Sequence, residues 1–361
     1  MQHSRYWQEV RLPKKMHGSK PTLIKNYNRL VILMRKIRLN TTNSFVPVFG
    51  SAQPIDPRVG KIQETIIKHT RFTEGLNQIS EAHRLRLGMV LDGDPGLGKT
   101  TIINTYRSSV LALAQQAESE ELSPMPIMVV SIPAQATQRR LLAAMFDQFG
   151  TDAQLSSKTY EMERQVYALI ENYNVEVIIF DEFHHLLRRE TFATDTFNFI
   201  KLLMDRSNLA VVLAGLPIGK SALEKHPELE ERLGFNSMTL TPFDINTAAN
   251  RRLFQKFMYA FKEKVSLNGG KCIDFSNHET LVLERLLLAT YGKPRLIRNL
   301  LVHALIDSGE KFEINIANLS RAYEKVDVNK QLGVKNPFRM KIEGVEQAMN
   351  KKLHIEKTRD A

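Results

Sequence analysis

The eight residues Gly93-Asp94-Pro95-Gly96-Leu97-Gly98-Lys99-Thr100 come just after the apolar run Leu87 to Leu91. Their types and spacing can hold phosphate. Small residues let the backbone curl into a ring of N–H donors, and a helix starting at the end of the loop adds its positive dipole end. Lys99 would reach the β- and γ-phosphates, and the Thr100 hydroxyl would sit on Mg²⁺. Gly93 to Thr101 is thus the candidate nucleotide cradle, and Ile102, Ile103 and Tyr106 give its helix an apolar face for a sheet.

A second chemical pair closes the run Val175-Glu176-Val177-Ile178-Ile179-Phe180-Asp181-Glu182. Two carboxylates at the end of an apolar strand, downstream of a phosphate loop, complete a nucleotide site. Asp181 would hold Mg²⁺ through water, and Glu182 would orient and polarise the water that attacks the γ-phosphoryl. His184 and His185 follow, but no further ligand cluster accompanies them in the sequence, so they read as packing or solvent contacts at a helix start rather than as metal ligands.

These groups need a scaffold, and the pattern supplies one. The runs at 87–91, 127–132, 175–180 and 209–215 are predominantly apolar, the last throughout, as strands buried on both faces of a parallel sheet must be. A short strand is expected at Ser237 to Leu240. Helical spacing falls at Lys61 to Arg86, covering the sheet edge, and at Leu141 to Phe149, Glu161 to Asn172 and Thr196 to Arg206. The segment from Pro133 to Arg140 leaves the second strand at its carboxyl edge, where a ring-shaped assembly would face its channel. Gln135, Thr137, Arg139 and Arg140 are candidate DNA contacts there; equally, the two arginines read as solvated first-turn residues. Arg232, just before the last strand, can reach a neighbouring subunit's nucleotide or pair with Glu228 at i,i+4. From Ala248 to Val326 the pattern is helical. Within it Gly292-Lys293-Pro294-Arg295 opens a helix with a cationic turn, and Arg295 could point back at the γ-phosphate.

The 361 residues carry a net charge of +11, and the first fifty hold ten cations against the single acid Glu9. That asymmetry favours a nucleic-acid partner over a merely solvated tail or a membrane surface. Tyr27 to Leu39 reads as a basic amphipathic helix in this arm. One cysteine, Cys272, excludes an internal disulfide and reads as a small buried residue. No apolar run approaches a membrane span, and the start lacks a secretory core, so a cytoplasmic protein is expected.

The order GDPGLGKTT (93–101), VIIFDEFHHLL (177–187), VVLAGLP (211–217), ELEERLGF (228–235) and GKPRLIRNLL (292–301) resembles AAA+ ATPases, and within them the TniB/TnsC type that regulates target selection by bacterial DNA transposons. The resemblance covers about residues 61 to 325. It implies an α/β module with a parallel sheet and a small helical lid. The organisation is a basic extension 1–56, a nucleotide-binding subdomain 57–242, a lid 243–326 and a polar tail 327–361. It implies ATP with Mg²⁺, Lys99 and Thr100 as Walker A, and Asp181 and Glu182 as Walker B. Arg232 is then the arginine finger and Arg295 the sensor 2 residue. Partners would be duplex DNA, further copies of the chain in a ring or filament, a transposase, and a targeting protein of the TniQ/TnsD kind. One departure stands out: the strand that should end in a polar sensor 1 residue reads Gly215-Leu216-Pro217. Slow or differently gated hydrolysis would follow. The other functions considered are a replication-initiator or helicase-loader relative, and an ATP-binding scaffold that scarcely hydrolyses.

Overall fold

The computed structural model describes residues 56–116, 124–134, 137–151, 158–188, 190–218, 226–233, 237–277, 279–325 and 335–359. The expected basic arm, with its helix at Tyr27 to Leu39, lies outside the described residues, as does Gln135. In chain order the elements begin with α1 (Pro57–Glu64), α2 (Thr70–Leu85), β1 (Gly88–Gly93), α3 (Lys99–Gln116) and β2 (Ile127–Ser131). Next come α4 (Gln138–Gln148), α5 (Thr159–Asn172), β3 (Val177–Asp181), a 3₁₀ helix (Phe183–Arg188), α6 (Glu190–Ser207) and β4 (Ala210–Gly215). Then follow α7 (Pro227–Leu233), β5 (Ser237–Leu240), α8 (Ala248–Leu267), β6 (Lys271–Cys272), α9 (Val282–Thr290) and α10 (Pro294–Asp307). The chain closes with a 3₁₀ turn (Gly309–Lys311), β7 (Glu313–Ile314), α11 (Ile316–Lys325), a further 3₁₀ turn (Pro337–Arg339) and α12 (Ile342–Arg359).

The sheet has five parallel strands in the order β2-β3-β4-β1-β5. Every residue of β1, β3 and β4 is buried, because helices cover both faces, whereas edge strand β5 alternates exposed and buried residues. Alternation still sorts the side chains by face. Ile178, Phe180, Val211 and Leu213 pack with Leu142, Met145, Val166 and Phe199 on one side. Val177, Ile179, Val212 and Ala214 pack with Ile79, Ile102 and Ile103 on the other. Because all five strands run the same way, the phosphate loop, Asp181 and Gly215 come out on one edge.

The lid has its own core, built from Phe254, Phe257, Phe261, Leu283, Leu287, Leu300 and Leu305. Three features differ from the sequence expectation. The helix expected over Lys61 to Arg86 is broken at Thr65 to His69, and its first half, α1, sends Val59 and Ile62 into the lid core rather than against the sheet. Ile66 is left exposed. Residues 335–359, within the stretch read as a polar tail, fold back on the lid, adding Phe338 and Met349 to its core. Arg285 fixes this return: its guanidinium donates to Thr280 O at 2.8 Å, to Met340 O at 2.9 Å and to Pro337 O. Among the described residues no helix is long and apolar enough to cross a membrane.

The lid joins the sheet through the strap after β5. Arg71 on α2 donates to Thr241 O at 2.8 Å and Pro242 O at 2.7 Å, and Phe243 N donates to Gly292 O at 2.9 Å. Gly292 has φ +67°, and a Cβ there would lie 1.9 Å from Phe243 O. Left-handed strain and a backbone clash therefore act together at this one position. Gly292→Ala should lower unfolding free energy by about 3 kcal/mol or more, read as a shift in the denaturant midpoint.

Candidate active site

At the carboxyl end of β1 the chain leaves the sheet at Gly93 and passes through Asp94, Pro95, Gly96, Leu97 and Gly98 into α3. Gly98, with φ +104°, makes the last bend before Lys99, Thr100 and Thr101 form the first helical turn. That turn carries N–H groups with no acceptor in their own helix, so its end offers donors and a positive dipole to an anion. Lys99 is buried, and its ammonium donates to Gly93 O at 2.5 Å and Asp94 O at 3.1 Å. Burial lowers its pKa, while the neighbouring carboxylates of Glu182, Asp181, Asp94 and Asp92 act in the opposite sense. A cation held on backbone carbonyls can exchange them for phosphate oxygens.

β3 delivers the carboxylates to the same place. Thr100 Oγ1 donates to Asp181 Oδ2 at 3.1 Å, and Glu182 N donates to Asp181 Oδ1 at 2.9 Å. Burial raises the Asp181 pKa, and these two hydrogen bonds oppose that rise. Hydroxyl and carboxylate oxygens side by side suit a hard cation such as Mg²⁺, which would relieve the buried negative charge. Glu182 follows with φ +60°, a backbone region that is uncommon for a side chain of this type. Its carboxyl lines the cleft over the loop.

The lid closes that cleft. Arg295 N donates to Gly96 O at 3.1 Å, and Lys293 Nζ pairs with Asp94 Oδ2 at 3.2 Å. The cleft runs from Gly96, Lys99, Glu182 and Arg295 at one end to Ile62, Ile66, His69, Phe72 and Phe257 at the other. The second end is apolar and aromatic, as a planar base requires. His69 caps α2, accepting from Phe72 N at 3.4 Å, and packs edge-on against Phe243 and Phe257. Arg298, one turn beyond Arg295, also lines the cleft, and burial lowers its pKa. Sequence reasoning did not single out His69 or Arg298. The i,i+3 spacing of Arg295 and Arg298 was the available signal for the second; no local pattern marked the first.

The structure therefore brings Gly93 to Thr101, Asp181, Glu182 and Arg295 together. It does not bring Arg232 to them. Arg232 ends α7 beside Gly88 at the opposite end of β1, roughly 16 Å along the strand. Its guanidinium donates to Asp205 Oδ1 at 2.9 Å, Asp205 Oδ2 at 3.2 Å and Glu228 O at 2.8 Å. The alternative of an Arg232–Glu228 ion pair is corrected accordingly: the Glu228 carboxylate pairs with Lys201, and Asp205 takes the arginine. Thr137 is the N-cap of α4, its hydroxyl accepting from Arg140 N at 3.2 Å, with Arg139 and Arg140 in the first turn beside the sheet's carboxyl edge. Cys272 is half-buried, and burial pushes its thiol up to about 12, which keeps it inert.

The model of the bacterial TniB protein family matches residues 20–244. No curated protein matches the sequence. The fold is similar to that of the Aeropyrum pernix ORC1 protein, solved in complex with DNA. The two share 15% identity and a TM-score of 0.54, over 75% of this chain and 70% of that one. It is also similar to Aeropyrum pernix ORC2 in its ADPNP–ADP complexes, at 15% identity and TM-score 0.51 over 78% and 75% of the two chains. Cdc6p from Pyrobaculum aerophilum gives 12% identity and TM-score 0.53 over 79% and 76%. The sheet order, loop and lid are those of the AAA+ fold.

The half-buried imidazole of His69 yields a pH dependence. Burial, with Arg71 nearby, lowers its pKa from 6.5 to about 4. The unfolded chain takes up the proton near pH 6.5 and the folded one only near pH 4, so stability falls as pH drops through that window. The loss is on the order of 3 kcal/mol. His69→Gln should flatten the stability–pH curve between those values in denaturant titrations.

Proposed function

We propose, for a chain that belongs to the bacterial TniB family, that it is an AAA+ ATPase whose nucleotide state governs its assembly on duplex DNA. The observation that carries this reading is the Thr100–Asp181 contact beneath the lid-held loop. It sets a hydroxyl, a carboxylate, a lysine and Glu182 around one phosphate-sized space. The nucleotide complexes of the ORC2 neighbour and the DNA complex of the ORC1 neighbour support the two ligands.

In this account Lys99, the Gly96 to Thr101 amides and Arg295 hold the triphosphate of ATP, and the base lies in the His69–Phe257 end. Thr100 and Asp181 would hold Mg²⁺, which neutralises phosphate charge when bound. Glu182 accepts the proton of a water whose oxygen forms a bond to the γ-phosphorus. The bond from that phosphorus to the bridging oxygen breaks, giving ADP and phosphate. Arg232 lies far from its own loop, so it serves the site of a neighbouring copy in a ring or filament. Nucleotide binding and assembly are then thermodynamically linked. Gln135, Thr137, Arg139 and Arg140 would meet DNA phosphates without reading sequence. The family relationship further supports a role in transposition, with a transposase and a TniQ/TnsD-type targeting protein as partners, in the cytoplasm.

Leu216, following β4, favours a second reading in which the protein binds ATP as a scaffold and turns it over slowly. Likeness to ORC and Cdc6 structures favours a third, an initiator-type DNA-handling ATPase. Turnover decides against the scaffold, and copurification with a transposase against the initiator.

Lys99→Ala should abolish ATP binding, whereas Glu182→Gln should bind ATP normally and stall hydrolysis; equal affinity in Lys99→Ala and wild type would refute the site. Arg232→Ala should keep ATP and its fold, since its exposed pair with Asp205 contributes at most about 1 kcal/mol. It should lose roughly 10³-fold or more in turnover. Mixing it with Lys99→Ala protein should restore part of that rate. No recovery at any ratio would leave Arg232 a surface residue.

A further inference from the structure

We propose that His184 is the positioning residue for Glu182, filling a place that β4 leaves without a polar group. The inference rests on Glu182 being the group that accepts the water's proton. β4 lies next to β3 in the sheet and ends at Gly215, followed by Leu216 and Pro217. None of these three side chains can hold a carboxylate or a water beside the phosphate loop.

The 3₁₀ helix after β3 takes over that space. A Cβ on Gly215 would meet Phe183 Cδ1 at 2.7 Å and His184 N at 3.3 Å, so the bare glycine is what lets this helix settle over the end of β4. There His184 Nδ1 lies 3.2 Å from Glu182 Oε2. The imidazole is only 14% exposed and the glutamate side chain 42%. The imidazole is thus the more enclosed of the two groups. The His185 ring packs tilted against it at 44°, with centroids 4.3 Å apart, and the preceding Phe183 is fully buried. His184 is thus packed from one side by His185.

Glu182 needs such a hold. Its side chain has three rotatable bonds, starts from a backbone at φ +60° and opens into a cleft. A general base left free there would spend little time aimed at the water. Within that 3.2 Å contact, an Nδ1–H turned toward Oε2 would restrict the carboxylate without removing the oxygen that takes the proton, the arrangement of a base oriented by a third group. Glu182, His184 and His185 also bring three possible metal-ligand atoms within 4.8 Å of one another. A transition metal bound there would occupy the same carboxylate, so metal binding and positioning predict opposite responses to added Zn²⁺.

The test compares His184→Asn, which keeps a donor, with His184→Leu, which keeps bulk without one, in the full-length protein with ATP, Mg²⁺ and duplex DNA. Leu should cut kcat about tenfold or more with ATP affinity and melting temperature unchanged, and Asn should recover most of the rate. In the Glu182→Gln background, His184→Leu should slow turnover no further. Zn²⁺ should not stimulate the wild type. Equal rates for Leu and wild type, a loss appearing only in ATP affinity, independent effects in the double variant, or Zn²⁺-dependent stimulation that needs His184 would each overturn the proposal. Absence of turnover in wild type would instead overturn the ATPase reading itself.

Discussion

The hydrogen bond from Arg295 N to Gly96 O joins the lid directly to the phosphate loop, and the rest of the molecule is arranged around that junction. A second bond, Phe243 N to Gly292 O, holds the strap at the base of the same helix. The Lys293–Asp94 pair adds a second tie between the start of the lid helix and the loop. A ligand entering the cleft displaces carbonyls from Lys99 at one end and meets the lid-facing aromatics at the other. Its binding therefore acts on the relation between sheet and lid, which is the element a nucleotide switch must bias.

Electrostatics makes the cleft incomplete on its own. Lys99 and Arg298 are cations whose pKa values burial lowers, and Asp181 is a carboxylate whose pKa burial raises. Each charge is disfavoured where it sits. A bound anion with its counter-cation would reverse all three penalties at once, which is why groups of both signs share one space. Arg232, by contrast, sits in a surface pair with Asp205 at the opposite end of β1.

Much of this was legible in the sequence because it is local. Gly93 to Thr101 and Asp181-Glu182 are contiguous runs, and uninterrupted apolar strands mark a covered parallel sheet. What escaped the sequence depends on contacts between distant residues. Ile62 fits a helix over the sheet by spacing, yet the break at Thr65 to His69 turns it into the lid core. Residues 335–359 look like a polar tail because their few apolar side chains are widely spaced. Two of them, Phe338 and Met349, meet a lid surface prepared by Arg285, more than fifty residues earlier. Glu228 stands four residues before Arg232, but Lys201 and Asp205 on α6 redistribute the pairing. His184 and His185 were visible as a pair, while their relation to Glu182 required the 3₁₀ turn over Gly215.

The most direct test of nucleotide-governed DNA binding is the affinity of the wild-type protein for duplex DNA of unrelated sequences, measured across salt concentrations with ATP, with ADP and with neither. The account predicts tight binding with ATP and Mg²⁺ and weak binding with ADP. It also predicts little sequence preference and a log affinity that falls by about 0.9 per neutralised phosphate for each decade of salt. An affinity for DNA that is the same in all three nucleotide conditions would contradict it.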